Sequence, residues 1–152
     1  MQIDDQDRRL LRQFQADPSQ SAAELADRAG MTRAAAWRRL ERLREGGVIR
    51  GVRGVIDWRA LGYDVEVSLR LTLDKSHPNA FDSVIAAARG IPEVIEIQTF
   101  LGRVDLRLSV IARDMPHYQD LYRSRILTLP HIAEIEALMQ VATIRQTDTL
   151  PL

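Results

Sequence analysis

The chain has no cysteine, a single lysine, and no apolar run near the ~18–20 residues that a membrane span needs. Without cysteine there is no disulfide, no thiol nucleophile and no thiolate metal site. Aromatic residues make up only 5% of the sequence, so any core must be built from aliphatic side chains. The opening Met1-Gln2-Ile3-Asp4-Asp5 has neither a basic nor an apolar stretch, so no signal peptide is expected, and a cytoplasmic location follows. His77, His117 and His131 are scattered, without metal-ligand spacing to carboxylates. Neither a nucleophile motif nor a phosphate-cradling glycine loop is present. These absences argue against an enzyme, a metal site or a cofactor.

What is present is an uneven charge. The whole chain is neutral, yet residues 1–56 carry 11 arginines against eight acids, and residues 57–152 carry 10 basic residues against 13 acids. Residues 31–53 alone hold seven arginines and two glutamates. A basic head on an acidic body is the electrostatic signature of a protein that meets nucleic acid with one end.

The head reads as three helices. Ile3, Leu10, Leu11 and Phe14 recur at helical spacing behind Asp4 or Asp5 as a cap, and Asp17-Pro18 ends the run. Ser21-Ala22-Ala23-Glu24 has the form of a capping box, and Gly30 stops the short second helix. Thr32 then caps a basic third helix reaching about Glu45, completing a helix-turn-helix pattern. At 100° per residue, Ala36, Leu40 and Leu43 share one face, with Trp37 on its flank as a packing residue. Ala34, Ala35, Arg38 and Arg42 share the opposite face, and Arg39 lies to the side.

A helix with small residues and long donors on one face suits the major groove of double-stranded DNA, where arginine can bond guanine O6 and N7 together. The first residues of such a helix reach the bases, so Thr32, Arg33, Ala34, Ala35, Arg38 and Arg42 form the expected footprint, with Arg39 toward a phosphate. The competing possibility is a solvated surface helix whose Arg38 and Arg42 pair with Glu41 or Glu45. Residues 48–56 mix apolar residues, Arg50, Arg53 and glycines at strand-like spacing, as a wing or linker strand with both arginines free for phosphates. A domain boundary is expected near residue 60, giving domains 1–60 and 61–152.

Beyond it, Val65, Val67, Leu69, Leu71 and Leu73 alternate with polar residues, as a half-buried strand does. A helix with Phe81, Val84, Ile85 and Ala88 follows, then strands over residues 94–101 and 106–110. A second helix runs from Asp114 past Ile126, and a last strand covers Ile132 to about Ile144. Ile91-Pro92-Glu93-Val94-Ile95-Glu96-Ile97 and Leu129-Pro130-His131-Ile132-Ala133-Glu134-Ile135 echo each other at a spacing of 38 residues. Two β-α-β copies predict a ferredoxin-like βαββαβ domain, so the chain as a whole is α+β with a winged-helix-like head. Helices cover one sheet face, and a partner subunit is expected on the other.

Taken in order, Glu24-Leu25-Ala26-Asp27-Arg28-Ala29-Gly30-Met31-Thr32, Trp37-Arg38-Arg39-Leu40-Glu41-Arg42-Leu43, Gly47-Val48-Ile49-Arg50-Gly51 and Thr149-Leu150-Pro151-Leu152 resemble the Lrp/AsnC (feast/famine) family of regulators along nearly the whole chain. The resemblance implies a transcriptional regulator, a homodimer that assembles to an octamer, and an amino acid or related metabolite as effector. The family's effector loop reads Gly-acidic-aromatic-Asp. Here it is Gly102-Arg103-Val104-Asp105, which keeps the ends and replaces the middle. Leu138, Met139 and Gln140 match effector-response positions in the last strand. The family's common Ser-Pro-Thr-Pro at the start of helix three is Thr32-Arg33-Ala34-Ala35 here, so the target sequence does not carry over. The alternative is an architectural DNA-binding protein without a small-molecule effector.

Overall fold

The computed structural model describes residues 2–147 and 149–152; Met1, within the stretch read for a signal peptide, and Asp148 lie outside them. The chain divides into two compact units, Met1–Val55 with Arg145–Leu152, and Ile56–Ile144. The first departs from the expected division in two ways. It ends at residue 55, and it takes back the last eight residues, whose Leu150 and Leu152 carbonyls accept hydrogen bonds from Gln15 and Arg12 at 2.9 and 2.7 Å.

In the first unit, helices α1 (Asp5–Ala16), α2 (Ala22–Ala29) and α3 (Arg33–Glu45) pack around Leu10, Leu25, Ala26, Ala29, Ala36, Leu40 and Leu43. Each start has a physical cause. Ser21 and Glu24 form the expected capping box on α2, Thr32 accepts the Ala35 N–H at 3.2 Å, and Asp4 caps α1 while the Asp7 carboxylate takes the Asp4 N–H. Gly30 ends α2 at φ 68°, ψ 44°, a left-handed conformation that costs a β-carbon-bearing residue energy. The turn to α3 is therefore only Gly30-Met31-Thr32.

Residues 48–56 are not a strand, contrary to the expectation above. Ile49 alone is buried, hung by its N–H on the Leu43 carbonyl, while Val52, Val55 and Ile56 are exposed. Alternation without a partner strand leaves backbone groups unpaired, and Gly51 and Gly54 remove side chains that would stiffen the run.

In the second unit, β1 (Val65–Leu73), α4 (Ala80–Arg89), β2 (Val94–Thr99), β3 (Leu106–Ala112), α5 (Met115–Leu121) and β4 (Ile132–Met139) form a βαββαβ fold with sheet order β2-β3-β1-β4. All pairings are antiparallel. Val67, Leu69 and Leu71 of β1 lie beside Leu106, Leu108 and Val110 of β3, and with Val84, Ala88, Leu121 and Ile126 they make the core under both helices.

Three expectations are refined. The second helix gives way after Leu121 to a wider π turn over Tyr122–Ile126. β4 stops at Met139 rather than Ile144, two residues short of the start of its neighbour β1: Val67 faces Met139, the Gln140 N–H donates to the Glu66 carbonyl, and Val141 and Ile144 stand exposed beyond. The open sheet face is polar, with Arg70 paired to Glu136 at 3.5 Å and Arg107 to Glu96 at 2.7 Å. Apolar burial therefore does not by itself call for a partner there. The 38-residue echo is real in three dimensions, since Ile91 and Leu129 are both buried just before a strand begins.

Candidate functional site

The helix-turn-helix sorts its arginines into two groups. At the capped start of α3, Thr32, Arg33 and Ala34 are exposed, Ala35 is half-buried, and Arg38 is exposed one turn on. Among the described residues Arg33, Arg38, Arg50 and Arg53 make no side-chain hydrogen bond or ion pair. Glu41 pairs instead with Arg44 at 2.7 Å. Trp37, expected to pack, is 57% exposed, because it sits at the edge of the Ala36-Leu40-Leu43 face rather than on it. A free Arg38 beside small residues at a positive helix N-terminus can approach base edges and phosphates directly.

Arg39 and Arg42 belong to the second group. The Arg39 side chain is only 18% exposed. Its Nη1 donates to Asp4 Oδ2 at 2.8 Å and to Asp7 Oδ1 at 2.7 Å, and its Nη2 donates to Gln6 Oε1. Arg42 donates to Asp7 Oδ2 through one Nη and keeps a 44% exposed side chain. Asp7 is fully buried. Burial pushes its carboxyl upward, but the Asp4 N–H, Arg39 and Arg42 outweigh burial and hold it below the ordinary aspartate range. The Asp7 N–H and Arg39 lower the neighbouring Asp4 carboxyl to about 2. Arg39 is therefore committed to α1 and not available as the expected phosphate contact, and Arg42 is only partly available. Its α1 partner was legible in one respect: Asp7 stands in the apolar stripe of Ile3, Leu10, Leu11 and Phe14, where a charge needs a partner.

The Gly102–Asp105 loop is built around a second buried acid. Asp105 Oδ2 accepts the Leu73 N–H at 2.9 Å, and Oδ1 receives Lys75 Nζ at 2.7 Å. Burial raises this carboxyl, yet the Leu73 N–H and Lys75 hold it below the usual range. The Asp105 N–H donates to the Leu71 carbonyl, and the Phe100 N–H to the Asp105 carbonyl, so the loop is pinned at its base. The expected pairing of Asp105 with a ligand ammonium is thus pre-empted by the chain's only lysine, a residue that spacing alone did not single out.

Beside the loop lies a cavity of about 450 Å³, lined by Arg70, Thr72, Arg103, Val104, Glu134 and Glu136 together with Ile135. Arg103 is the one effector candidate that lines it. Gly102 and Asp105 form the loop ends, and Leu138, Met139 and Gln140 lie exposed at the far end of β4. The His77 and His131 rings, distant in sequence, meet at 4.5 Å, but no group of three metal-ligating side chains occurs among the described residues.

Comparison with known proteins bears on both units. The Lrp/AsnC ligand binding domain family matches residues 66–150, and the winged helix-turn-helix DNA-binding family matches residues 3–50. The HTH-type transcriptional regulator Zrp of Zymomonas mobilis is 28% identical over 151 residues, covering 98% of this chain and 97% of the relative. The structure of Escherichia coli AsnC superposes with a TM-score of 0.89 at 26% identity, covering 98% of this chain and 99% of that one. A feast or famine regulatory protein from M. tuberculosis, solved with L-methionine bound, gives a TM-score of 0.84 at 27% identity over the same shares.

Proposed function

The chain belongs to the Lrp/AsnC family, whose members are DNA-binding transcriptional regulators and not enzymes, and on that premise we propose that it reads specific operator sequences in double-stranded DNA through the start of α3. Thr32, Arg33, Ala34, Ala35 and Arg38 face the bases, Arg42 stands at the edge of the footprint, and Arg50 and Arg53 hold phosphates. The observation that carries this reading is Arg38, exposed and unpaired among the described residues, one turn into a capped helix that follows a three-residue turn. Residues 1–55 act as the DNA-binding head. The sheet unit senses a metabolite and assembles the protein into homodimers and octamers in the cytoplasm.

For the effector, the reading favours an amino acid zwitterion or a related metabolite in the Arg70–Arg103 cavity, with its carboxylate on the arginines and its ammonium on Glu134 or Glu136. The methionine seen with the M. tuberculosis relative supports this class of ligand. One observation favours the architectural alternative without an effector: Asp105 is already closed by Lys75.

The decisive experiment is binding of wild type, Arg38→Ala and Arg50→Ala to a duplex selected from a random library and to a random-sequence duplex. Loss of a bidentate base contact should cost Arg38→Ala about 1–3 kcal/mol of discrimination. Arg50→Ala should weaken both duplexes equally and flatten the salt dependence by about one unit of slope. Identical behaviour of the two variants contradicts the assignment.

A further inference from the structure

We propose that Asp7, seconded by Asp4, is a specificity-determining positioning residue that withholds Arg39 from DNA and aims Arg42, so that the basic face of α3 engages DNA with fewer cations than it carries. The inference rests on the DNA-binding reading of α3.

The geometry separates the two arginines. Arg39 spends both terminal nitrogens on α1, one shared by Asp4 and Asp7 and the other on Gln6, and its side chain is largely covered. Arg42 gives one terminal nitrogen to Asp7, and its side chain stays 44% exposed with no other hydrogen bond among the described residues. Asp7 meets three donors in all, the Asp4 N–H, Arg39 and Arg42, and has no contact with solvent. A buried ion network of this kind is no more stabilising than a well-packed aliphatic side chain, and its best-attested use is to fix register. Here what it fixes is the placement of Arg39 and Arg42 of α3 against the start of α1, while Arg38 is unpaired among the described residues.

The consequence is electrostatic. Sequence-independent affinity for DNA grows with every phosphate that a cation neutralises. A phosphate contact made on operator and random DNA alike cancels from their difference, so occupying Arg39 lowers the affinity common to both, while discrimination depends on how Asp7 aims Arg42. Arg33, Arg38, Arg50 and Arg53, unpaired among the described residues, together with the partly exposed Arg42, then carry the interface without Arg39.

The test compares wild type, Asp7→Asn and Arg39→Gln, each confirmed as folded by its melting transition, on a random-sequence 40-base-pair duplex and on a duplex selected by the wild type. The Asp7→Asn protein should bind the random duplex more tightly at low salt. Its salt slope should be steeper by about one, a roughly three-fold extra loss of affinity from 50 to 200 mM salt, and, with Arg42 no longer aimed, its preference for the selected duplex should shrink. Arg39→Gln should leave the slope unchanged although a cation has gone, and this variant decides the matter if Asp7→Asn does not fold. A slope reduced by about one in Arg39→Gln would make Arg39 a phosphate contact and overturn the proposal. So would Asp7→Asn weakening both duplexes in parallel at an unchanged slope, as a merely structural role requires. Failure of the wild type to bind either duplex would instead remove the DNA reading itself.

Discussion

Among the described residues each unit of the protein buries one aspartate, and the two are built to opposite ends. Asp7 in the head is held by two arginines of a different helix, 32 and 35 residues away, so its charge sets how two surfaces meet. Asp105 in the sheet unit is held by the Leu73 N–H and by Lys75, both at the end of the neighbouring strand, so its charge closes a loop. Both carboxyls lie below the ordinary range despite burial. The comparison teaches that a perturbed buried acid in a candidate site is not thereby a ligand-binding acid. Asp105, at the position where the family resemblance led us to expect a ligand, is satisfied from within, whereas the apolar-stripe residue Asp7 holds two arginines of the helix proposed to meet DNA.

The largest effect should come from breaking the head's acid. Asp7→Ala strips two arginines of a fully buried partner, and removal of one member of a buried ion pair costs about 3–5 kcal/mol. Urea unfolding should show this loss in the first unit while the sheet unit keeps its midpoint. Asp105→Ala should cost less, about 1–3 kcal/mol, because it leaves one buried N–H unmet and a lysine that is 59% exposed and can turn to water. If the two losses are equal, the distinction between a surface-setting and a loop-closing acid is wrong.

Acid sharpens the same comparison. Carboxyls held below their unfolded values stabilise the fold above the ordinary aspartate range, and that stability is lost as pH falls through the folded values, which for Asp4 is about 2. The head contains Asp4, Asp7, Asp17 and Glu24 in this condition, and the sheet unit only Asp74 and Asp105 among the described residues. The head should therefore lose more of its stability between pH 5 and pH 2. Trp37 lies in the head and Trp58 in the other unit, so single-tryptophan variants followed by fluorescence during urea unfolding report the two separately. The smallest effect is expected for Lys75→Met: a half-exposed ion pair contributes under about 1 kcal/mol. This variant also offers an ammonium-bearing ligand an unclaimed carboxylate. A thermal shift with an amino acid that appears only in Lys75→Met would place the lysine in the role of a built-in substitute for the ligand.

Local physics was legible in the sequence, and contacts between distant segments were not. The capping box at Ser21 and Glu24, the stop at Gly30, the alternation of Val65–Leu73 and the echo of Ile91 in Leu129 depend on residues a few positions apart, and each has its expected structural counterpart. Helical geometry likewise separated the buried Ala36, Leu40 and Leu43 from Arg38. The ties of Arg39 and Arg42 to Asp7 are tertiary, and one-dimensional spacing left both arginines free for DNA beside Arg38. Residues 48–56 alternated well enough for a strand but had no neighbour to pair with, and β4 ended opposite Val67, near the start of β1, which no property of residues 140–144 announces. The Gly102–Asp105 loop was singled out by resemblance alone, but its closure by Lys75 depends on a strand end 30 residues upstream.

The central claim, that this regulator meets DNA through the start of α3, is tested most directly by amide hydrogen exchange with and without a duplex selected by the protein. The account predicts slowed exchange over residues 32–38 and 50–53, with the N-terminal turn of α1 unchanged because Asp4 and Asp7 already occupy it. Unchanged exchange over residues 32–38, with protection confined to the sheet unit, would contradict it.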